Sequence, residues 1–259
     1  MNKFIIITTL LITGFLTAQI KENREVADFS KLKASSSVQV FYTISSTKSV
    51  QVETDDAEKM QYIKTEVIGE TLNIYLDTNK NSDTKKSRKR KWNNNINFKV
   101  LKITISGPNL NAIKASSSGF VKIENLNTSD NLDIAVSSSG SIKGNFECKN
   151  LKIDASSSGE FVAEVVSKTA MIESSSSSTV TLEGKAVELN VKASSSGDCN
   201  VKEFKVENAV VLASSSASVS VYTSNSVEAK ASSSASVYFY GNPTNVSKEM
   251  SSSGSVMKR

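Results

Sequence analysis

The chain contains no histidine, and only two cysteines, two prolines and one tryptophan in 259 residues. Without histidine it lacks the commonest general base and the commonest metal ligand. Two cysteines are too few for a zinc module or a disulfide-framed mini-protein. Two prolines and eleven glycines exclude collagen-like and proline-rich linker classes. The hydrophobic fraction of 38% is low for a globular protein, yet too high for a disordered one.

The only long apolar run lies at the start. Lys3 supplies a positive n-region, Phe4 to Leu16 an apolar stretch, and Ala18-Gln19 a cleavage point. Residues 1–18 read as a signal peptide, because the run is shorter than the ~20 residues of a membrane span. The mature chain is therefore expected to be exported, to the periplasm or the cell surface, with no transmembrane segment.

What the chain has in abundance is a repeat. Ser-Ser-Ser starts at Ser35, Ser116, Ser137, Ser156, Ser175, Ser194, Ser214, Ser232 and Ser251; from Ser116 on, the steps are 21, 19, 19, 19, 20, 18 and 19 residues. Around each triplet every second residue is apolar or small, as in Leu151, Ile153, Ala155 and then Gly159, Phe161. Period-2 alternation marks strands with one buried face, and a 3.6-residue helix would scatter the same positions around its axis. The phase is identical in every unit, and no Asn-Gly hairpin signal recurs. The expected fold is therefore all-β: a parallel β-helix, or β-solenoid, with ~19-residue coils stacked about 4.8 Å apart.

The parity places the middle serine of each triplet inward. A structural hydroxyl ladder is expected at Ser117, Ser138, Ser157, Ser176, Ser195, Ser215, Ser233 and Ser252, with the first and third serines facing out. The Gly or Ala two residues after the middle serine marks a tight place. Cys148 and Cys199 fall three coils apart, roughly 14 Å by strand spacing, which predicts two free thiols with Cys199 in the core. Residues 19–109 read as irregular N-terminal coils and a cap, with strands at Ser49–Glu53, Thr71–Leu76 and Phe98–Ser106. Asp55 is the expected N-cap of a short turn or helix. Regular repeats fill 110–259, so that 29–259 forms one continuous domain, and the tail Val256–Arg259 shields the far edge.

Residues 80–95 form a basic insertion with a net charge of +6, more than the +5 of the whole chain. Lys85, Lys86, Arg88, Lys89, Arg90, Lys91 and Trp92 are candidate contacts for a polyanion. A nuclear or nucleic-acid role conflicts with the export signal.

The chain resembles the bacterial family known as putative autotransporter adhesin head GIN domain, common in Bacteroidetes. The resemblance rests on Phe29-Ser-Lys-Leu-Lys-Ala-Ser-Ser-Ser-Val-Gln-Val, on Val67-Ile-Gly-Glu-Thr-Leu-Asn-Ile-Tyr-Leu, and on the segment from Val100 to Gly119. It covers roughly residues 29–255 and implies a parallel β-helix in a surface or periplasmic setting, with no established catalytic residues. The basic insertion departs from the family pattern.

No phosphate loop, nucleotide fingerprint or metal-ligand spacing occurs, so neither cofactor nor metal is expected and no catalytic residue is named. Polysaccharide-active β-helix enzymes need clustered carboxylates. Here Asp133, Asp154 and Glu173 alternate with Lys152 and Lys192, which reads as a solvated face. The expected function is a non-enzymatic, adhesin-like binding or structural protein whose partner is a cell-surface polysaccharide or an envelope protein. A polysaccharide-active enzyme is the first alternative, and an ice-binding solenoid using exposed serine columns is the second. Deleting Lys85–Lys91 should weaken retention of the protein on anionic glycan resin; unchanged retention removes the loop from the binding surface.

Overall fold

The computed structural model describes residues 20–77 and 96–259. The signal segment and the basic insertion, with Lys85 to Trp92, lie outside the described residues. The strands form one 18-stranded sheet wound on itself.

The chain begins with β1 (Ile20–Arg24), then runs β2 (Lys31–Ala34) and β3 (Gln39–Ile44) on either side of the first serine triplet. Next come β4 (Ser49–Thr54), a four-residue helix α1 (Ala57–Met60), and β5 (Ile63–Ile68), β6 (Thr71–Leu76) and β7 (Leu101–Gly107). The strands β8 (Ala112–Ala115) and β9 (Phe120–Ile123) flank the second triplet. β10 (Asn127–Val136) completes the coil that β9 begins, and long strands then fill one coil each: β11 (Ser141–Ala155), β12 (Glu160–Ser174), β13 (Thr179–Ala193), β14 (Asp198–Ala213) and β15 (Ser218–Ala231). The last coils are β16 (Ser236–Tyr240), β17 (Asn245–Met250) and β18 (Ser255–Lys258).

From β8 onward every pairing is parallel, and side chains stack in columns. One inward column runs Ile134, Ile153, Ile172, Val191, Val211, Ala229. Another runs Ile142, Phe161, Val180, Cys199, Val219, Val237, Val256. These positions are buried and belong to one continuous core. β-Branched and aliphatic side chains suit such a column, because each packs against its own kind one strand spacing away.

The serine triplets correct the expected hydroxyl ladder. Their middle residues (Ser117, Ser138, Ser157, Ser176, Ser195, Ser215, Ser233 and Ser252) are exposed, not inward. In these eight triplets the middle serine has φ between 45° and 52° and the third between 60° and 65°. Positive φ at both central residues makes each triplet the first three residues of a type I′ turn. The N–H of the residue after the triplet donates to the first serine's carbonyl at 2.8–3.1 Å. A two-residue turn returns the chain to its original parity, so alternation runs unbroken across the triplet while its centre swings outward. The ladder that does exist is made of backbone. The third serine's N–H donates to the middle serine's carbonyl in the next coil, as in Ser158 to Ser176 at 3.0 Å. The residue after the turn is indeed tight: a Cβ on Gly159 would stand 2.6 Å from the Val136 carbonyl oxygen.

The first end of the stack is closed by antiparallel pairing. β6 and β7 stack parallel on β2 and β3, so the second coil in the stack is the first in the chain. Outside them, β5 pairs antiparallel with β6, and β4 pairs antiparallel with both β7 and β1. α1 places Met60 in the core below this cap. Its N-cap is Asp56, whose carboxylate accepts from the Glu58 N–H at 2.9 Å. Asp55, expected in that role, instead holds the Lys59 ammonium at 2.6 Å, one turn on, and this keeps its carboxyl down at about 2. At the far end, Val246, Lys248 and Met250 occupy inward columns yet are exposed, because no further strand covers them. Lys248 lies 4.7 Å from the Phe239 ring centroid. A charged residue in an inward column blunts a sheet edge against further pairing.

Both thiols are free and buried, and Cys199 is fully enclosed. Burial pushes the Cys199 thiol up to about 12 and the Cys148 thiol to about 11. A raised folded-state value means the folded chain keeps protons that the unfolded chain releases, so stability holds below about pH 8.5 and declines above it. The thermal midpoint should therefore fall between pH 8 and pH 10.5, and fall less in a Cys148→Ala, Cys199→Ala variant. Native protein at pH 8 should resist alkylation that goes to completion in guanidinium.

Candidate functional site

Just before five successive turns, from Ser156 to Ser232, the chain places a charged or aliphatic side chain outward, a small residue inward, and the first serine of the triplet half-exposed. Stacked over six coils, this unit makes a shallow axial groove of about 760 Å³. Its floor carries Ser156, Ser175, Ser194, Ser214, Ser232 and Ser251 over the inward Ala155, Ser174, Ala193, Ala213 and Ala231. Its flank is the column Asp154, Glu173, Lys192, Leu212, Lys230 and Glu249, one residue per coil. The groove exists because the floor residues are small while the turn and the flank stand proud on either side.

Charges along this face neutralise one another. Lys152 meets Asp154 at 3.0 Å, Lys192 meets Glu173 at 3.6 Å, and Lys230 meets Glu249 at 3.0 Å and Glu228 at 3.7 Å. The hydrogen bond that Lys152 donates to Asp154 holds its ammonium above its ordinary value, and the one to Glu249 does the same for Lys230. Both lysines are solvent-facing, so these pairs set local charge more than stability. Asp154 and Glu173 are neighbours in one column, with Asp133 two residues before Ala135, the next member. The acids expected on a shared face are thus brought together, but with lysines set among them. Among the described residues no group of three or more acidic or cysteine side chains could hold a metal ion.

A second polar column escaped the sequence reading. Asn150 donates to Asn131 at 2.8 Å, and Thr169 donates to Asn150 at 2.9 Å. Asn208 donates to Glu188 at 2.9 Å, and Asn225 donates to Asn208 at 2.8 Å. This is a side-chain ladder that begins six residues before the serine turn in the coil of Asn150. Its signal was present: Asn131, Asn150, Thr169 and Glu188 are each 19 residues apart.

The expected polyanion contacts Lys85, Lys86, Arg88, Lys89, Arg90, Lys91 and Trp92 fall outside the described residues, but their attachment points do not. Lys31–Ala34 pair with Thr71–Ile74, and Gln39 pairs with Lys102. The insertion therefore joins β6 to β7 at the place in the coil where other coils carry a serine turn.

Residues 28–164 and 142–243 both match the family described as "putative auto-transporter adhesin, head GIN domain". The chain belongs to this family. Solved structures from Parabacteroides and Bacteroides share the fold. A Parabacteroides distasonis protein titled a putative lipid binding protein superposes with a TM-score of 0.80 at 23% identity, covering 93% of this chain and 96% of that one. A putative adhesin from Parabacteroides merdae gives 0.78 at 16% identity, covering 93% and 96%. A putative adhesin from Bacteroides fragilis gives 0.66 at 22% identity, covering 93% and 97%. No protein of curated function matches the chain. Among the described residues of this GIN-domain chain, no helix is long and apolar enough to cross a membrane.

Proposed function

We propose that this GIN-domain protein is an exported, non-enzymatic, adhesin-like module of the bacterial cell envelope, and that it holds an elongated polysaccharide along the axial groove. The observation that carries this reading is the line of first-serine hydroxyls, one per coil over six coils, in a groove whose flanking charges are paired. A polymer with hydroxyls at regular intervals finds donors and acceptors at matching intervals, set by the strand spacing of about 4.8 Å. Paired flanking charges give no net attraction to a strongly charged chain, which favours a neutral or mixed-charge one. The family and its relatives carry adhesin names, in keeping with a binding role. Lipid binding, the role named for the Parabacteroides distasonis relative, does not suit this groove, since Leu212 is the one large apolar residue on the flank.

The test is a glycan-array and whole-cell retention screen of the labelled mature protein, beside a Ser194→Trp, Ser214→Trp variant that fills the groove. Retention of the parent on a polysaccharide, reduced at least ten-fold by the variant and without cleavage of the glycan, is expected. No retention on any glycan or cell surface, or release of shortened glycan, would overturn the reading.

A further inference from the structure

Three of the six tyrosines in the chain lie together on one face near the end of the stack. Tyr238 and Tyr240 alternate with the buried Val237 and Phe239, so both face outward, and Tyr222 sits one coil below Tyr240. All three are half-exposed. The Tyr222 ring carbon Cζ lies 3.3 Å from where a Cβ on Gly241 would stand, and Gly241 has φ +90°, a conformation glycine tolerates. The ring therefore rests on bare backbone. This face is on the other side of the serine turns from the axial groove. Its remaining columns are polar, with Ser218 and then the exposed Asp198 beneath Ser236, and with Ser220 and Asn200 beneath Tyr238.

Two cations border the rings. The Arg259 guanidinium lies over the face of the Tyr238 ring, 5.0 Å from its centroid, and Lys205 lies one coil below Tyr222 in the same column. Neither makes an ion pair with a described residue. An aromatic ring on a sheet face with no second layer over it leaves apolar area in water, and its face carries negative quadrupole density. The C–H-rich face of a pyranose ring is complementary to that surface, and a sugar carboxylate is complementary to an unpaired guanidinium.

We propose that Tyr222 and Tyr240 form a stacking platform for an acidic polysaccharide, with Arg259, held on the Tyr238 ring, and Lys205 taking its carboxylates. The proposal rests on the polysaccharide-binding reading but uses a separate site. Tyrosine and arginine also favour protein interfaces; here the surrounding serines and asparagine supply hydroxyl and amide partners with little aliphatic surface, Met257 being the exposed apolar neighbour. That composition favours a sugar.

Affinity electrophoresis of the mature protein through polygalacturonate, with dextran as neutral comparator, tests it. Polygalacturonate should retard the parent, and Tyr222→Ala with Tyr240→Ala should weaken retardation at least ten-fold. Arg259→Gln should weaken it about three-fold, and it should fade with added salt. Circular dichroism and the thermal midpoint report whether the variants fold; Tyr240→Thr, a strand former, serves if the double variant does not. An unretarded parent, or tyrosine variants retarded like the parent, overturns the platform. Loss of glycan retention in the groove-filled variant with none in the tyrosine variants overturns the platform and leaves the groove reading standing. Loss in the tyrosine variants alone does the reverse. Tyrosine-dependent capture of a cell-surface protein with no glycan retention overturns both.

Discussion

Two serines in each of the nine triplets hold a left-handed backbone, which costs a residue with a Cβ roughly 1–2 kcal/mol. Glycine or asparagine would hold it more cheaply. What offsets the cost is the next coil. Each turn donates a backbone hydrogen bond to the coil on either side: Ser137 to the Ala115 carbonyl, and Ser139 to the Ser157 carbonyl. A single turn of this kind would be marginal. Stacked, each fixes the position of the next, and every long column of the molecule inherits its register from that corner. The inward Ile and Val columns, the axial groove and the asparagine ladder all follow from one repeated bend.

The consequence for function is a rigid surface of repeated distances. Side chains that face outward are carried at strand spacing over many coils, with little freedom to rearrange. Such a scaffold is poorly suited to gathering several groups around one reacting atom, and well suited to meeting a ligand that is itself periodic. The two places where the surface departs from monotony are therefore informative. One is the groove, where small residues recess the floor. The other is the last coils, where Tyr238 follows Asn200 and Ser220 in one column and Tyr222 and Tyr240 follow Lys205 in another.

The period and the parity were legible in the sequence because both are local. Leu151, Ile153 and Ala155 declare a strand without help from the rest of the chain, and the 19-residue spacing declares a translational stack. The same parity misled at the triplet. A two-residue turn preserves odd–even alternation, so Ser157 looks inward when only its φ shows otherwise. The asparagine column was readable in principle, since Asn131 and Asn150 are separated by a whole coil, but it needs the coil phase to be known first. The cap was legible only as irregularity. Its antiparallel pairing of β4 with β1 and β7 joins residues tens of positions apart, and nothing in Ser49–Thr54 alone says which partner it will take. Asp55 and Asp56 are adjacent acids, and the choice between cap and salt bridge was made by Lys59 and by the backbone angle at Asp56.

The most direct measurement of this account is the guanidinium unfolding midpoint of the mature protein with Ser157→Asn and Ser158→Gly, the pair that type I′ turns prefer. If the triplet is held by stacked left-handed backbone, the variant keeps every inter-coil hydrogen bond, relieves strain and unfolds at a higher midpoint, by about 0.5–1 kcal/mol in stability. If the middle serine were instead a buried hydroxyl rung, the same change would strand its neighbours' hydroxyls and lower the midpoint by about 1–3 kcal/mol, a result that contradicts the account.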